Sequence, residues 1–361
     1  MKTIYDAWQH FRPRHRATLL TMGVTLTCLP VAWVALAGGE SAGVAPAAVA
    51  APAPAPAKPN ITFDSAGPDT RIRASWSLYR LEIPQVSREA FGEFVKRNLP
   101  GEPTGEMSEL SQRLVYADSK DRSVFFMQDQ LTGNLMFQGS MIPYFGNTRP
   151  ILPGPDDARK LALEYLRTQE LFPVKETQLK MVHSGGLRYN QVREGKPGPI
   201  LNKLRIIHFG RLLGGVRVLG PGSKITVSVG DGGAVVGLQR KWREVGASSV
   251  LASTELKSPE GAQREFGEFL QSELGPNVQA RVGPPQIFYH DGDGQYIQPA
   301  YYFKVTIPSV DGLVSYLSAV PAMKQPPERV GPGQIPSGAI RNLVTVGPDT
   351  IPPPGPDARQ D

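Results

Sequence analysis

The chain has 361 residues, enough for two or three domains, and its 40% hydrophobic content is that of an ordinary globular protein. Its formal net charge is +6, of which residues 1–16 carry +3 through Lys2, Arg12, Arg14 and Arg16 against Asp6. The remaining excess is small, and no basic stretch interleaved with aromatics accompanies it, so nucleic acid is excluded as the expected partner.

Residues 1–16 read as a cytoplasmic basic tail, by the positive-inside rule. Residues 17–37 contain no charge and are long enough to span a bilayer as a helix, so the membrane is an expected partner through this segment. Ala35-Leu36-Ala37 has the form of a signal-peptidase site, so the segment reads as a single-pass anchor or as a cleaved signal peptide. The first reading gives a cell-membrane protein with its C-terminal part outside. The second gives a secreted protein cut near Ala37. Cys28, the one cysteine, lies inside this segment without a lipobox. The exported part therefore has neither a disulfide nor a thiol nucleophile. Residues 38–69 are an Ala/Pro-rich linker, extended where prolines alternate with alanines.

Three helices follow, each preceding β-like sequence. Ser87–Leu99 has Ser87 as N-cap and an apolar stripe of Phe91, Phe94, Val95 and Leu99. Arg113–Gln128 and Leu135–Gly139 follow it as strands. Pro155-Asp156-Asp157 opens a second helix, with acids where the helix dipole favours them. Its stripe is Ala158, Leu161, Ala162, Tyr165 and Leu166, and Pro173 ends it. Ser258–Leu274 is the third, with Pro259 at its first position and a stripe of Ala262, Phe266, Phe269, Leu270 and Leu274. Gln286–Tyr289 and Tyr296–Ile307 follow as strands. Phe91-Gly92-Glu93-Phe94 and Phe266-Gly267-Glu268-Phe269 are identical strings. The common order suggests three helix-plus-sheet units at 70–150, 151–250 and 251–325. Residues 326–361 form a Pro/Gly-rich tail, with one isolated strand at Ile340–Val346.

The clearest strand pattern lies in the middle unit. Ile225, Val227 and Val229 alternate with Lys224, Thr226 and Ser228, which means one buried and one wet face. Leu204–Phe209 and Val216–Leu219 read as strands before it. Gly214-Gly215, Pro221-Gly222 and Asp231-Gly232 are turns, and Ala234–Arg240 returns.

The string from His208 to Trp242, with its aromatic-ended strand, its Gly215-Val216-Arg217-Val218 step and its Asp-Gly hairpin, resembles the core of PepSY and FTP domains. These are small extracytoplasmic modules found in protease propeptides and in secreted regulators. The resemblance covers about residues 155–245. It implies a cystatin-like helix-on-sheet unit. No H-E-x-x-H follows, so a metalloprotease propeptide is not implied. The expected fold class is α+β, with repeated helix-on-antiparallel-sheet units behind the membrane segment and linker.

The residues carry little catalytic signal. Of His183, His208 and His290, none has a histidine four residues on or a nearby cysteine, so no metal is expected. His208 sits in an apolar strand, while His183 and His290 lie beside Gly-containing turns and read as solvated. Asp291-Gly292-Asp293-Gly294 resembles the start of a calcium loop, but Tyr296 and Tyr302 occupy the positions that need Gly and Glu, so it reads as a solvated turn. No P-loop, dinucleotide turn or nucleophile elbow is present, and no cofactor is expected. Trp242, flanked by Arg240 and Arg243, has the composition of an interface anchor. Tyr301 and Tyr302 put aromatics on both faces of one strand, as a doubly covered strand or an interface would. The functional expectation is a non-enzymatic, membrane-tethered extracytoplasmic protein that binds or regulates another cell-envelope protein. The alternative is an envelope hydrolase whose carboxylates come from distant positions.

Overall fold

The computed structural model describes residues 59–64, 75–99, 101–190, 192–193, 196–274, 278–309 and 312–330. The expectations for the basic tail, the segment 17–37 with Cys28, most of the linker and the strand at 340–346 lie outside these residues. By its contacts the chain divides into Met1–Pro54 and Ala55–Asp361, and every element below belongs to the second part. Among the described residues, no helix is long and apolar enough to cross a membrane.

The elements run β1 (Asn60–Phe63), β2 (Trp76–Leu81), α1 (Arg88–Asn98), β3 (Glu106–Leu110), β4 (Arg113–Ala117), β5 (Phe125–Asp129), β6 (Leu135–Gln138) and α2 (Pro155–Thr168). Then come β7 (Leu179–Tyr189), the short pair β8 (Val192–Arg193) and β9 (Lys196–Pro197), β10 (Leu201–Leu213), β11 (Val216–Leu219), β12 (Lys224–Val229), β13 (Val235–Lys241) and β14 (Val245–Leu251). The last are α3 (Pro259–Glu273), β15 (Gln279–Val282), β16 (Gln286–Asp291), β17 (Tyr296–Ser309) and β18 (Gly312–Pro321).

The helices sit where capping and periodicity place them. Ser87 Oγ accepts from the Ala90 N–H at 3.0 Å and Ser258 Oγ from the Gly261 N–H at 3.1 Å. α2 buries Ala158, Ala162 and Leu166. The shared Phe-Gly-Glu-Phe string has a packing use in both helices. A Cβ on Gly92 would lie 3.3 Å from Met107 Cε on β3, and one on Gly267 would lie 3.4 Å from Phe63 Cζ on β1. Each glycine lets a strand side chain lie close against the helix. β1 itself is a strand within the segment read as linker, paired parallel to β15 from Asn60↔Gln279 to Phe63↔Val282.

The expected repetition of separate helix-on-antiparallel-sheet units is corrected by the pairing. Among the described residues, sixteen strands join in one mixed sheet. Hydrogen bonds cross both expected boundaries between units. β6 pairs with β13 at Phe137↔Leu238, and β2 pairs with β14 at Trp76↔Leu251 and with β17 at Ile297↔Tyr79. β1 with β15 and β11 with β16 are parallel. The cause is that periodicity marks a strand's faces and leaves its edge partners open.

One arm of the sheet has the order β7-β10-β12-β13-β6-β5-β4-β3. α1 and α2 share a core with one of its faces. There Phe91, Phe94, Ala162 and Leu166 join Ile207, Ile225, Val227, Val229, Leu238, Phe126 and Phe137. Ile225, Val227 and Val229 are each 0% exposed, as the alternation predicts. The other arm is centred on β17. α3 covers one of its faces, packing Phe266 flat on Phe303 with ring centroids 4.3 Å apart. Ala300, Tyr302, Ala319 and Val330 form a small core on the opposite face. The β10–β11 hairpin and the parallel β11–β16 contact connect the arms.

Candidate interaction surface

Two places on this frame concentrate polar chemistry: the junction between the arms, and the sheet face that no helix covers among the described residues.

At the junction, β11 and β16 run side by side, with Leu219 opposite His290. The chain then turns through Gly220-Pro221-Gly222 onto β12, wrapping the end of β16. Gly220 has φ +104, and a Cβ there would lie 2.4 Å from the Asp291 carbonyl oxygen, so only glycine fits. Asp291 is 3% exposed. Its carboxylate accepts from Ser223 Oγ at 2.6 Å and from the Asp293 N–H at 2.9 Å. Burial raises its pKa, against those hydrogen bonds and the positive charges of Arg211 and Arg243. Arg211 is 1% exposed and lies 4.0 Å above the Trp242 ring. Burial pulls its pKa down to about 10. One of its nitrogens donates to the Arg243 carbonyl, while Nε and Nη1 have no partner among the described residues. Asp293 accepts from Asn134 Nδ2 at 2.8 Å and faces Lys241 Nζ at 3.3 Å. It thereby ties the β16–β17 turn to the β5–β6 turn and to β13.

The run 291–294 forms the β16–β17 turn, as read, with Gly292 exposed, but Asp291 at its start is buried rather than solvated and makes the turn a structural clasp. His290 is corrected likewise. It is half-buried, with Nδ1 2.6 Å from Tyr302 Oη, and burial lowers its pKa to about 4, assisted by Lys224. The linkage has a definite sign. The unfolded imidazole takes a proton near pH 6.5, whereas the folded one stays neutral to about pH 4, so stability falls as pH drops through that window. His290 alone is expected to remove about 2 kcal/mol between pH 6.5 and 5. Asp291, its pKa raised, works in the opposite direction. Urea unfolding at pH 7 and pH 5 checks this: His290→Gln flattens the loss relative to the parent protein, and equal slopes would refute the assignment.

The residues read as contact candidates are placed as follows. Trp242 is 2% exposed beneath Arg211. Arg240 donates to the carbonyls of Leu171 at 3.0 Å and Trp242 at 2.8 Å. Arg243 donates to the Gly294 carbonyl and lies 4.0 Å from Asp293. These three brace the junction from within. Tyr301 is buried in the α3 core and donates to the Lys257 carbonyl at 3.0 Å. Tyr302 is buried on the opposite face of β17 beside Phe288 and His290. β17 is thus covered on both faces, and the five side chains do not converge on one surface.

The open face belongs to the first arm. On the side away from α1 and α2, the cross-strand row runs His183, His208, Thr226, Gln239, Met136, Met127, Val115 and Ser108. None of these belongs to a buried core cluster, and His183 and Gln239 are exposed outright. His183 and His208 stack with centroids 5.9 Å apart, and His208 Nδ1 lies 3.1 Å from Thr226 Oγ1. His183 is solvated as expected, but within a strand. Ser184-Gly185-Gly186 is not a turn: a Cβ on Gly186 would lie 2.6 Å from the Leu204 carbonyl oxygen, so the glycine serves strand pairing.

Neither place has the arrangement of a hydrolase. Asp291, the carboxylate whose pKa is raised, has its oxygens occupied and no exposed path. Among the described residues, no three His, Cys, Asp or Glu stand close enough to share a metal. A groove along the outer side of α3, lined by Phe63, Glu260, Arg264 and Glu268, is open rather than enclosed. The Glu260 carboxyl there is held low by hydrogen bonds at the helix start, the opposite of a primed acid. Sequence reasoning missed Arg211, Asp291 and Asp293 as a cluster. The Gly220-Pro221-Gly222 turn was the available signal for a close approach, but nothing in it names Asp291.

No protein-family model and no curated protein matches the chain. Among solved structures, the chain is similar to an uncharacterized protein from Eubacterium rectale at 8% identity and TM-score 0.39, covering 71% of this chain and 86% of that one. It is also similar to the Bacillus megaterium YpeB C-terminal domain at 15% identity and TM-score 0.33, covering 66% of this chain and 94% of that one.

Proposed function

We propose that the protein is a non-enzymatic binding or regulatory module of the cell envelope, held at the membrane by residues 17–37, with its sheet-built body outside. The observation that carries this is the open face of the first arm. An eight-strand surface with helices on one side presents half-exposed Met127, Met136, Val115 and Ile206 beside polar Thr226, Ser228 and Gln239 on the other. A wide, shallow, mixed surface of this kind suits a protein partner better than a small substrate, which needs a concave site. The resemblance of residues 155–245 to PepSY-type regulatory modules supports the same reading.

The test uses the full-length protein in its native membranes, with a photo-crosslinking phenylalanine analogue at Met136 or Gln239, and at Gln271 on the far side of α3 as control. The open-face positions are expected to capture the same single envelope protein, and Gln271 is expected not to. Absence of any adduct at both open-face positions would overturn the proposal.

A further inference from the structure

We propose that β7 is a docking edge that takes an acidic, extended segment of a partner protein as an additional strand. This deepens the binding reading above and rests on it.

β7 is eleven residues long and pairs with β10 along one side, from Leu201↔Tyr189 to Arg211↔Leu179. Its other side has no strand partner among the described residues, so alternate backbone N–H and C=O groups face outward over about 35 Å. Natural edges are commonly kept short or interrupted by proline, and β7 is neither. Its centre, Ser184-Gly185-Gly186, is nearly bare backbone, and Met181, Val182 and Leu187 are 36%, 49% and 42% exposed beside it. A strand laid there would form main-chain hydrogen bonds and find apolar contacts on both faces.

Charge decides which strand. β7, β10, β11 and β12 together hold seven Lys and Arg and no Asp or Glu. Between Thr177 and Gly230, Glu194 is the only acid against nine bases. This segment carries more positive charge than the chain's net +6. Lys180 and Arg188 stand exposed near the two ends of β7, and Lys180 shares a cross-strand row with Gly210 and Lys224. The plainer view is that these charges, with the irregularity beside Val182, only guard the edge. They do guard it against a second copy: two β7 edges laid together would bring only Lys and Arg side chains near one another, with no acid to offset them. A strand that carries acidic residues on both of its faces reverses that sign at both ends. The same charges that exclude self-association therefore select an acidic partner.

The experiment uses the full-length protein in detergent micelles and a fluorescein-labelled ten-residue peptide of Val and Asp with Asp on both faces of the strand, and the same peptide with Lys for Asp as comparison. Fluorescence anisotropy is expected to give at least about tenfold tighter binding for the acidic peptide. Amide exchange across residues 179–189 is expected to slow when it binds. The double variant Lys180→Glu/Arg188→Glu, whose side chains are exposed, is expected to melt as the parent does and to bind the acidic peptide at least about tenfold more weakly. Equal binding of both peptides, no binding of the acidic one, or slowed exchange at Gly312–Pro321 instead of β7 would each overturn the proposal. So would β7 amides already protected before peptide is added, because the edge would then be occupied by this chain itself. If the open-face crosslinks persist while this test fails, only the edge assignment falls. If both fail, the binding function falls with it.

Discussion

Val227→Asp is expected to unfold the first arm of the sheet, while Thr226→Asp leaves it standing. The two positions are neighbours on β12 and face opposite ways. Val227 is 0% exposed, in a core with Ala158, Ala162 and Leu166 of α2, and opposite Ile207 and Leu238 on the flanking strands. A carboxylate there has no donor within the apolar layer. The side chain must ionise in a poor dielectric or bind a proton at neutral pH, and either costs several kcal/mol. That is a large part of the roughly 5–15 kcal/mol that stabilises an ordinary domain. Thr226 is half-exposed on the open face, next to His208 and between Lys224 and Ser228. A carboxylate there meets water, a lysine and an imidazole that can donate to it, so the change stays within about 1 kcal/mol. Thermal melts of the two full-length variants separate the cases. Equal loss would mean that the open face is covered after all, and the interaction surface would go with it.

Asp291 gives the second large effect, and the choice of substitution carries the information. Asp291→Ala leaves Ser223 Oγ and the Asp293 N–H both without their acceptor. A buried donor left unpaired costs about 1–3 kcal/mol, and here there are two. Asp291→Asn keeps an acceptor oxygen for one of the two donors and removes the charge. Because burial raises the Asp291 pKa despite its hydrogen bonds and the two arginines, the fold disfavours this carboxylate in its ionised form. The amide is therefore expected to cost only about 1 kcal/mol at pH 7. It should also lose the part of the pH dependence in which stability falls as pH rises through the raised carboxyl pKa. Denaturant unfolding of the parent and both variants at pH 5 and pH 7 measures this. If alanine and asparagine cost the same, the electrostatic account of the junction is wrong.

Legibility differed sharply between the two places. On β12 the open face follows from the alternation Lys224–Val229, because a two-residue period determines which side chains share a face, whereas the register shift between Ser228 and Val229 sets Gln239 of β13 opposite Thr226. That no helix among the described residues covers the face depends on where α1 and α2 dock. The junction was opaque. Arg211 and Asp291 are eighty residues apart, and Asp291 sits in a Gly-rich run whose composition suggests solvent. Trp242 and its arginines had the composition of an interface anchor but serve as internal bracing. A cation–aromatic stack is chemically the same inside a protein as at its surface.

The sequence by itself determined the local elements: three amphipathic helices, two of them capped by a serine, the strands that follow them, and the buried side of β12. Caps, periodicity and turn chemistry act over a few residues, so the local string contains their whole cause. Tertiary structure alone decided that the strands merge into one mixed sheet, with β2 joined to β14 and β1 to β15. Edge pairing is made by backbone groups that every residue type carries, so side-chain pattern does not name the partner. Tertiary structure also decided that Asp291 and Arg211 are buried near one another, and that β7 has no strand neighbour on its outer side among the described residues. Burial and charge compensation are set jointly by segments far apart in the chain, and no local stretch of sequence records both members.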